Sequence, residues 1–599
     1  MVAQLARQDA PVALTWNLTD LFADAAAFEA GIADLARQDA ALVAAQDEFT
    51  TDAAHFYAVV RDRYVAENLL ERLYVYAELS TSQDQTDAAA QQLQAHVQQA
   101  LSDHEAALAW LDPAIIALPD AQLAAFKSAM PELTPYAHQL DVIRAQRGHV
   151  LAPDQEALLA QLGQSLNAAG TIQATLDDAD LTFGQIDWQG QQTLTKGLLG
   201  QVYTRAPRPV RAQAAEQFST SYVDHRYTFA QTLNAHVHTQ NALAQLRHYS
   251  SAREMDLSQN QLPEAVYDTL LARTHAHLDL LHRFYGLYKR VLKVDPMYSY
   301  DTKMPLSGAE PPLAPDYEAS KAIALQALAP LGADYLAHLQ DEFDHRWIDV
   351  LETRGKTSGG FQTGAYGTHP YILLNWADTY RDMSTLVHES GHAMQTVYSD
   401  AHQDYWNAGY PIFTAEVAST TNESLLNAYL LEQYKDDREK TIFLLTESVA
   451  DFVGTVYRQA QFAEFEQYMY ETEAGGTPLT PDTLTPKWTE LAHTYLGPDV
   501  ADSPWPSAGW AQLPHFFYNY YMYQYATSKA IATSFAHRIL TEGAPAVAAY
   551  KTFLSAGASD TPVNILKAAG VDVTGPDYLD EAFAQFETQL NALAALLTV

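Results

Sequence analysis

The chain has 599 residues, of which 48% are hydrophobic and 11% aromatic, so it is long enough for more than one domain with a substantial core. Its 73 acidic residues outnumber its 35 basic residues and give a formal net charge of −38, which argues against partners such as nucleic acids or anionic membranes. Cysteine is absent, which excludes disulfides and thiolate ligands, so a bound metal ion must be held by His, Asp or Glu.

The amino-terminal segment gives no sign of a targeting signal. Residues Met1–Arg7 lack the basic stretch followed by an apolar stretch that is typical of a signal peptide. No apolar run in the chain approaches the roughly 20 residues that a membrane-spanning helix needs. We therefore expect a soluble cytoplasmic protein with no membrane partner.

The first 180 residues or so are rich in Ala, Leu and Gln. Between His55 and Leu111, apolar residues such as Leu69, Leu73 and Tyr76 recur at helical spacing, which predicts long amphipathic helices. No heptad repeat is sustained, so the pattern favours a helical bundle over a coiled coil.

Alternating apolar residues broken by glycine predict a small β-hairpin at Leu181–Thr195. We take this hairpin as an approximate boundary between an N-terminal helical region, residues 1–190, and a second helical region, residues 191–599. Helical patterns resume after the hairpin, and the proline-rich stretch Ser307–Pro315 predicts an extended connector.

A glycine-rich stretch, Ser358–Gly367, precedes Pro370–Asn375, which has the composition of a short buried strand. The stretch lacks the Gly-Lys-Ser/Thr ending of a phosphate-binding loop. Glycines before a strand allow an extended peptide to approach the backbone and pair as an additional strand. We assign Gly364, Ala365 and Tyr366 as candidate substrate-binding residues; the alternative is a flexible loop before a structural strand.

Residues 382–398 have the apolar periodicity of a helix and contain the motif His-Glu-Ser-Gly-His at residues 388–392. Positions four apart lie on the same helical face, so His388 and His392 can bind one cation. Glu389 lies about 100° round the helix from His388, so its carboxylate is beside the ion, where it can take a proton from water. This is the His-Glu-x-x-His arrangement of zinc hydrolases. The alternative is an ordinary helix with two surface histidines.

A second helix begins near Phe413 and offers a third metal ligand. Glu416 lies 24 residues beyond His392, far enough for a turn and a packed second helix. Two histidines and one glutamate leave the fourth zinc position open for water, as catalytic sites require. Glu423, seven residues further on, lies on the same face and is either the alternative ligand or a partner that orients a histidine.

The stretch His515–Tyr525 combines one histidine with five tyrosines. Imidazole and hydroxyl groups opposite a zinc ion can donate hydrogen bonds to the oxyanion of a tetrahedral intermediate. The alternative is a helix that packs its aromatic rings with the hydroxyls at the rim of a cleft. We assign Tyr520 and Tyr521 as candidate substrate-binding residues.

The motif at residues 388–392, Glu416 and the His515–Tyr525 run together resemble oligoendopeptidase F, one of the thimet-oligopeptidase-like zinc metallopeptidases. Further pieces of the resemblance occur in order along nearly the whole chain, at Trp16–Phe22, Trp347–Val350, Pro370–Trp376 and Tyr457–Glu466. The sequence departs from the family at Gly355–Phe361, where relatives usually have Lys-Arg-Ser-Gly-Ala-Tyr.

The resemblance implies a mainly α, zincin-type fold that is split by a deep substrate channel and has a small β-sheet beside the active-site helix. A narrow channel implies an endopeptidase that cleaves oligopeptides rather than folded proteins. Residues 191–599 are then the catalytic region. The resemblance also implies one zinc ion per chain and specific roles: ligands His388, His392 and Glu416, general base Glu389, and oxyanion or substrate contacts His515 and Tyr523.

Two other functions are compatible with the same motif. A zinc carboxypeptidase-type exopeptidase needs a basic residue that grips a terminal carboxylate, and Arg381 and Lys356 are near in sequence. A non-catalytic peptide-binding protein is the alternative of another class. Glu389 argues against it, because a pure binding protein has no need of the base.

Overall fold

The computed structural model of the protein describes residues 5–306 and 311–597. Every candidate site residue lies within these ranges. Residues 307–310 of the predicted connector and residues 1–4 of the amino-terminal segment lie outside them.

Helices make up most of the described chain. In chain order the α-helices are α1 (Ala25–Ala44), α2 (Ala53–Gln83), α3 (Ala88–Leu108), α4 (Leu111–Ala117), α5 (Asp120–Ala129), α6 (Ala137–Ala145), α7 (Pro153–Leu166), α8 (Ala168–Thr175), α9 (Lys196–Arg205), α10 (Arg208–Asp224), α11 (Arg226–Leu246), α12 (Ala252–Gln259), α13 (Ala265–Ala276), α14 (Leu278–Leu292), α15 (Tyr317–Ala327), α16 (Ala333–Asp344), α17 (Tyr380–His402), α18 (Tyr405–Ala408), α19 (Ile412–Gln433), α20 (Arg438–Phe452), α21 (Arg458–Ala474), α22 (Pro481–Leu496), α23 (Tyr523–Glu542), α24 (Ala544–Leu554), α25 (Pro562–Ala568) and α26 (Asp577–Leu597). Short 3-10 segments lie at Arg7–Asp9, Val12–Leu14, Leu18–Asp20, Pro131–Tyr136, Gln146–Gly148, Asp301–Lys303, Ala329–Leu331, Gly509–Gln512 and Pro514–Phe517, and π-helical turns lie at Leu176–Asp180 and Val453–Tyr457.

Within the described residues, the strands form two small sheets. The first is the predicted hairpin, in which β1 (Gln185–Asp187) pairs antiparallel with β2 (Gln191–Thr193). In the second sheet, β5 (Tyr371–Trp376) is central; it pairs parallel with β3 (Ile348–Leu351) and antiparallel with β4 (Phe361–Thr363), which forms one edge. The predicted fold class, mainly α with a small sheet beside the motif helix, is confirmed.

The chain folds into two compact units, each assembled from three separate segments. Unit 1 comprises Met1–Gly148, Leu313–Leu426 and Phe535–Gly570, and unit 2 comprises the remaining segments, His149–Pro312, Asn427–Ser534 and Val571–Val599. The division near residue 190 suggested by the sequence separates two continuous regions and therefore differs from these units. Apolar patterns reveal elements along the chain, but not which distant elements pack together.

In unit 1 the amino-terminal segment forms hydrogen bonds with the three-stranded sheet whose strand β5 precedes the motif helix α17. The indole N–H of Trp16 lies 2.9 Å from the carbonyl oxygens of both Trp347 and Ile372. Arg7 donates to both carboxylate oxygens of Asp349, at 2.8 and 2.5 Å. Strand β5 reads as a nearly continuous apolar run because it is buried on both faces. These contacts hold the sheet that directly precedes α17.

Unit 2 has a core of its own. The ring of Phe452 lies 5.6 Å from that of Phe583 and 4.8 Å from that of Phe586, and the Tyr457 hydroxyl donates to the carbonyl oxygen of His277 at 2.7 Å. A helix that could cross a membrane does not occur anywhere in the part of the chain that the structure describes.

Candidate metal centre and active site

Helix α17 carries the motif, and three residues separate its start from the end of β5. Thr379 caps it: its side chain accepts the N–H of Asp382 at 3.1 Å, and the Asp382 carboxylate accepts the N–H of Thr379 at 2.9 Å. His388 and His392 share one face of this helix, with ring centroids 4.9 Å apart. The predicted helix and the predicted pairing of the two imidazoles are therefore present.

Helix α19 brings Glu416 to both histidines. The Glu416 Oε2 atom lies 3.4 Å from Nε2 of His388 and 3.7 Å from Nε2 of His392, and the three ligand atoms lie within 4.8 Å of one another. Ligand atoms about 2.1 Å from a tetrahedral zinc ion stand about 3.4 Å apart, so the spacing fits this ion. The donor set, two imidazole nitrogens and one carboxylate oxygen, is also one that zinc prefers in catalytic sites.

Glu423 occupies a different position from Glu416. Its Oε1 atom lies 3.2 Å from Nδ1 of His388, the ring nitrogen that points away from Glu416. A carboxylate on one ring nitrogen fixes the tautomer and leaves the other nitrogen for a metal ion. Ser419 similarly donates its hydroxyl to Glu416 Oε2 at 3.0 Å. Of the two carboxylates weighed from the sequence, Glu416 is the one that the geometry brings to both Nε2 atoms.

The glycine of the motif allows α17 and α19 to approach closely. A Cβ atom on Gly391 would stand 2.5 Å from Cα of Ser419 and 2.8 Å from the carbonyl oxygen of Ala418. Both distances are shorter than real Cβ contacts, and the atoms that they meet are backbone atoms that cannot swing aside. Only glycine fits here, and its missing side chain allows Glu416 to reach the histidines.

Burial and mutual charge shift the pKa values of the motif residues. Burial raises the pKa of Glu389 to about 7; the imidazole of His388 opposes this shift, and the carboxylates of Glu416 and Glu423 add to it. Burial lowers the pKa of His392 to about 3, with a further contribution from the charge of His388. Burial also acts to lower the pKa of His388, but the hydrogen bond to Glu423 and the charges of Glu423, Glu389 and Glu416 together outweigh it, and the pKa rises to about 9. A carboxylate with a pKa near neutrality suits a general base.

Strand β4 brings the backbone of the glycine-rich stretch to the base. A Cβ atom on Gly360, directly before β4, would stand 2.9 Å from Cγ2 of Thr385 and 3.7 Å from Oε1 of Glu389. Among the described residues, β4 pairs with β5 alone, so its other edge is available to an extended chain. Gly360 and residues 361–363 lie within the glycine-rich stretch Ser358–Gly367, but three residues are too few for a sequence pattern to predict β4.

The assigned residues of this stretch lie just beyond β4. Ala365 is 2% exposed and belongs to the core around Trp16. Tyr366 donates its N–H to Oε2 of Glu71 at 3.1 Å and its hydroxyl to the carbonyl oxygen of Gln403 at 2.9 Å. The substrate-binding roles of Gly364, Ala365 and Tyr366 stay predictions.

The two basic residues considered for an exopeptidase differ in environment. The side chain of Lys356 is fully buried; its Nζ lies 2.8 Å from a carboxylate oxygen of Asp349 and 2.7 Å from the carbonyl oxygen of Leu351. These partners occupy the ammonium group, so Lys356 cannot grip a substrate carboxylate. Arg381 lies exposed at the start of α17.

The tyrosine run, which belongs to unit 2, is not one continuous helix. A 3-10 segment ends at Phe517, a tight turn follows at Asn519 and Tyr520, and α23 begins at Tyr523. The turn brings the ring of His515 to 5.7 Å from that of Tyr518, 6.2 Å from that of Tyr521 and 6.4 Å from that of Tyr525.

The tyrosines of the run fall into two groups by burial. Tyr520 and Tyr523 are 1% and 0% exposed, and burial raises the pKa of the Tyr523 hydroxyl. His515, Tyr521 and Tyr525 are only partly buried. The oxyanion roles of His515 and Tyr523 and the substrate-binding roles of Tyr520 and Tyr521 stay predictions.

A buried glutamate outside the motif contacts α17. Glu342 of α16 is 1% exposed, and its Oε1 accepts the hydroxyl of Ser390 at 2.6 Å. Burial raises its pKa to about 8 from an ordinary value of 4.5; the Ser390 hydrogen bond opposes the shift and the charge of Glu389 adds to it. Between pH 4.5 and 8 the folded chain therefore keeps a proton that the unfolded chain has lost.

This difference makes the stability contributed by Glu342 fall as the pH rises through that window. The substitution Glu342→Gln removes the titration. Relative to the parent, its free energy of unfolding is expected to rise by about 4 kcal/mol between pH 5 and pH 8.5. Denaturant unfolding of both zinc-saturated proteins at the two pH values measures this change. A difference that is independent of pH would contradict the prediction.

The family models that match this chain and several similar proteins of known sequence or structure are peptidases. The family model for peptidase family M3 matches residues 203–585, and the model described as oligopeptidase F matches residues 115–183. Oligopeptidase PepF of Bacillus subtilis is 37% identical over 585 residues, which cover 97% of this chain and 87% of that protein. The crystal structure of oligoendopeptidase-F from Enterococcus faecium is 34% identical, with a TM-score of 0.74, and the match covers 95% of this chain and 98% of that chain. A solved structure from Chlamydophila abortus is 29% identical, with a TM-score of 0.91 and coverage of 99% and 100% of the two chains.

Proposed function

Because the chain belongs to peptidase family M3 and is an oligopeptide-hydrolysing metalloendopeptidase of the oligoendopeptidase F type, we propose that it cleaves internal peptide bonds of short oligopeptides with one zinc ion held by His388, His392 and Glu416. The observation that carries the proposal is the convergence of these three ligand atoms within 4.8 Å, beside the buried Glu389. An ordinary helix with two surface histidines would not have a glutamate from a second helix within 4 Å of both rings.

When bound, zinc supplies Lewis acidity that acidifies water and polarises a carbonyl group. Glu389 takes the proton from the attacking water and passes it to the nitrogen of the leaving amine. His388 and His392 act as neutral ligands, and Glu423 holds the first of them in the tautomer that presents Nε2.

We further propose that His515 and Tyr523 donate hydrogen bonds to the oxygen that becomes negative during attack. Removal of one such donor commonly lowers the rate about 10²- to 10³-fold. This part of the proposal is supported by the family resemblance of the His515–Tyr525 run.

We propose that the substrate binds as an extended chain along the free edge of β4. The support is positional: the backbone at Gly360 lies close to Glu389, since a Cβ atom there would stand 3.7 Å from Oε1 of Glu389, and the backbone groups of residues 361–363 on that edge have no strand partner among the described residues. Tyr520, Tyr521 and the segment Gly364–Tyr366 are further proposed substrate contacts.

Oligopeptides are thus the proposed partners, and the cytoplasm is the proposed location. The formal net charge of −38 supports the proposal that nucleic acids and anionic membranes are not partners.

An internally quenched peptide that is blocked at both ends separates the proposal from its alternatives. The zinc-loaded protein is expected to cleave it internally, and mass spectrometry of the products locates the bond. Release of single residues from unblocked peptides, with no cleavage of the blocked peptide, would indicate an exopeptidase. Binding without any cleavage would indicate a non-catalytic protein.

A further inference from the structure

The turn inside the His515–Tyr525 run has a strained backbone. Asn519 and Tyr520 have φ angles of +48° and +38°, so two consecutive residues other than glycine adopt the left-handed conformation. Asparagine tolerates this region, but a bulky tyrosine rarely adopts it. Such strain persists only where surrounding contacts impose it, and it is often found next to functional groups.

Three hydrogen bonds from unit 2 impose this conformation. The N–H of Tyr520 donates to Oε1 of Glu466 at 2.8 Å. The side-chain oxygen of Asn519 accepts the hydroxyl of Tyr470 at 2.9 Å and lies 2.8 Å from Nε2 of His236. These partners come from two helices, α11 and α21, and Glu466 and His236 are 0% and 6% exposed. Both residues of the turn are therefore tied to the interior of the unit.

The buried carboxyl of Glu466 has this one hydrogen bond. Its second oxygen, Oε2, has no hydrogen-bond partner among the described residues. Burial raises the pKa of Glu466 well above its ordinary value. A glutamate with only a structural role could equally well lie on the surface in contact with water. The burial of Glu466, whose one hydrogen bond is made to the N–H of Tyr520 in the strained turn, therefore indicates that this turn is required.

The turn determines which side chains meet. It lies between the 3-10 segment that holds His515 and the start of α23, and the His515 ring lies 6.2 Å from that of Tyr521 and 6.4 Å from that of Tyr525. A relaxed turn would change both distances, and displacements of about 1 Å at reacting groups can lower rates 10²-fold.

We propose that Glu466 and Asn519 are positioning residues, which hold the Asn519–Tyr520 turn in its left-handed conformation and thereby fix His515 relative to Tyr521 and Tyr525. Neither residue touches the substrate. The inference rests on the proposed function, in which His515 acts on the reacting carbonyl.

The test uses the full-length, zinc-loaded protein and two readouts. Hydrogen–deuterium exchange over residues 513–523 reports the turn itself, independently of catalysis. Cleavage of the blocked quenched peptide gives kcat and KM. The variants are Glu466→Leu, which cannot accept the Tyr520 N–H, and Glu466→Gln, which can. Glu464→Leu is the matched control, because Glu464 lies on the same helix but contacts His275 and Tyr495.

Glu466→Leu is expected to speed exchange in this segment and to lower kcat about 10- to 100-fold with little change in KM or zinc content. Glu466→Gln is expected to restore both readouts to near the parent, and Glu464→Leu to leave both unchanged. Unchanged exchange in Glu466→Leu, or faster exchange with parental kcat, would overturn the proposal.

Two further variants keep the test decisive. If Glu466→Leu does not fold, Asn519→Gly replaces it: glycine adopts the left-handed conformation freely but removes the oxygen that Tyr470 and His236 contact, so the same losses are expected. Parental exchange and kcat in Asn519→Gly would overturn the proposal. His515→Ala tests the proposed function separately: if it keeps parental kcat, the oxyanion role of His515 is wrong, and exchange alone then decides whether Glu466 holds the turn.

Discussion

Replacing Glu389 by glutamine is expected to leave zinc bound and to lower kcat about 10²- to 10⁴-fold. Glutamine has nearly the shape of glutamate but cannot take a proton from water. Glu389 is 6% exposed and is not one of the three residues whose ligand atoms converge, so the change leaves the metal ligands untouched. The substitution also leaves the neighbouring backbone of Gly360 and β4 unchanged, so KM is expected to change little.

The measurement combines zinc content by elemental analysis with steady-state cleavage of the blocked peptide. Glu342→Gln provides the matched control: it is another buried glutamate whose side chain contacts α17, at Ser390, the residue next to the proposed base. It is expected to keep zinc and near-parental kcat at pH 7. Parental turnover in Glu389→Gln would show that another group is the base, whereas loss of zinc would make Glu389 a ligand.

The local part of the site was predictable from the sequence because a helix obeys a local rule. Once residues 380–402 are recognised as helical, the spacing of His388 and His392 determines that they share a face and that Glu389 lies beside it. The central strand β5 and the hairpin β1–β2 were predictable for the same reason, since burial on both faces or alternation leaves a pattern within a few residues.

The third ligand could not be fixed in this way. Glu416 and Glu423 are both on one face of α19, and helical periodicity does not distinguish them. The distinction depends on how deeply α17 and α19 pack against each other, which the missing Cβ of Gly391 allows. A packing distance between elements is a tertiary quantity, and only the resemblance to a known family supplied it before the structure.

The tyrosine run shows a second limit of the sequence. Its composition suggested hydroxyl groups that contact the substrate or an oxyanion, yet the turn at Asn519 and Tyr520 buries Tyr520 and Tyr523 and leaves Tyr521 and Tyr525 partly accessible. The turn carries no glycine or proline that would predict it. It depends on partners such as Glu466, more than 50 residues earlier in the chain, so no local rule could reveal it.

The substitution Glu416→Ala is expected to abolish detectable turnover by removing zinc. It deletes the one anionic ligand and leaves two imidazoles, of which His388 has a pKa raised to about 9 and is therefore protonated at neutral pH without a metal ion. Protons then compete with zinc at the remaining ligands, and the zinc affinity should fall by more than the roughly 10- to 100-fold that follows loss of an orienting partner. Glu423→Gln is the matched control, because it keeps a hydrogen-bond acceptor for Nδ1 of His388 and should lose no more than that smaller factor.

Chelator competition on the two purified variants measures the zinc dissociation constants, and thermal unfolding with and without zinc checks that both proteins fold. The expected order of zinc affinity is parent, then Glu423→Gln, then Glu416→Ala. The reverse order of the two variants would make Glu423 the ligand and Glu416 its partner. That outcome would require α19 to shift along its axis by about two turns, roughly 10 Å, and the close backbone approach of Gly391 to Ser419 opposes such a shift. The zinc affinities of this pair of variants therefore test the helix packing and the ligand assignment together.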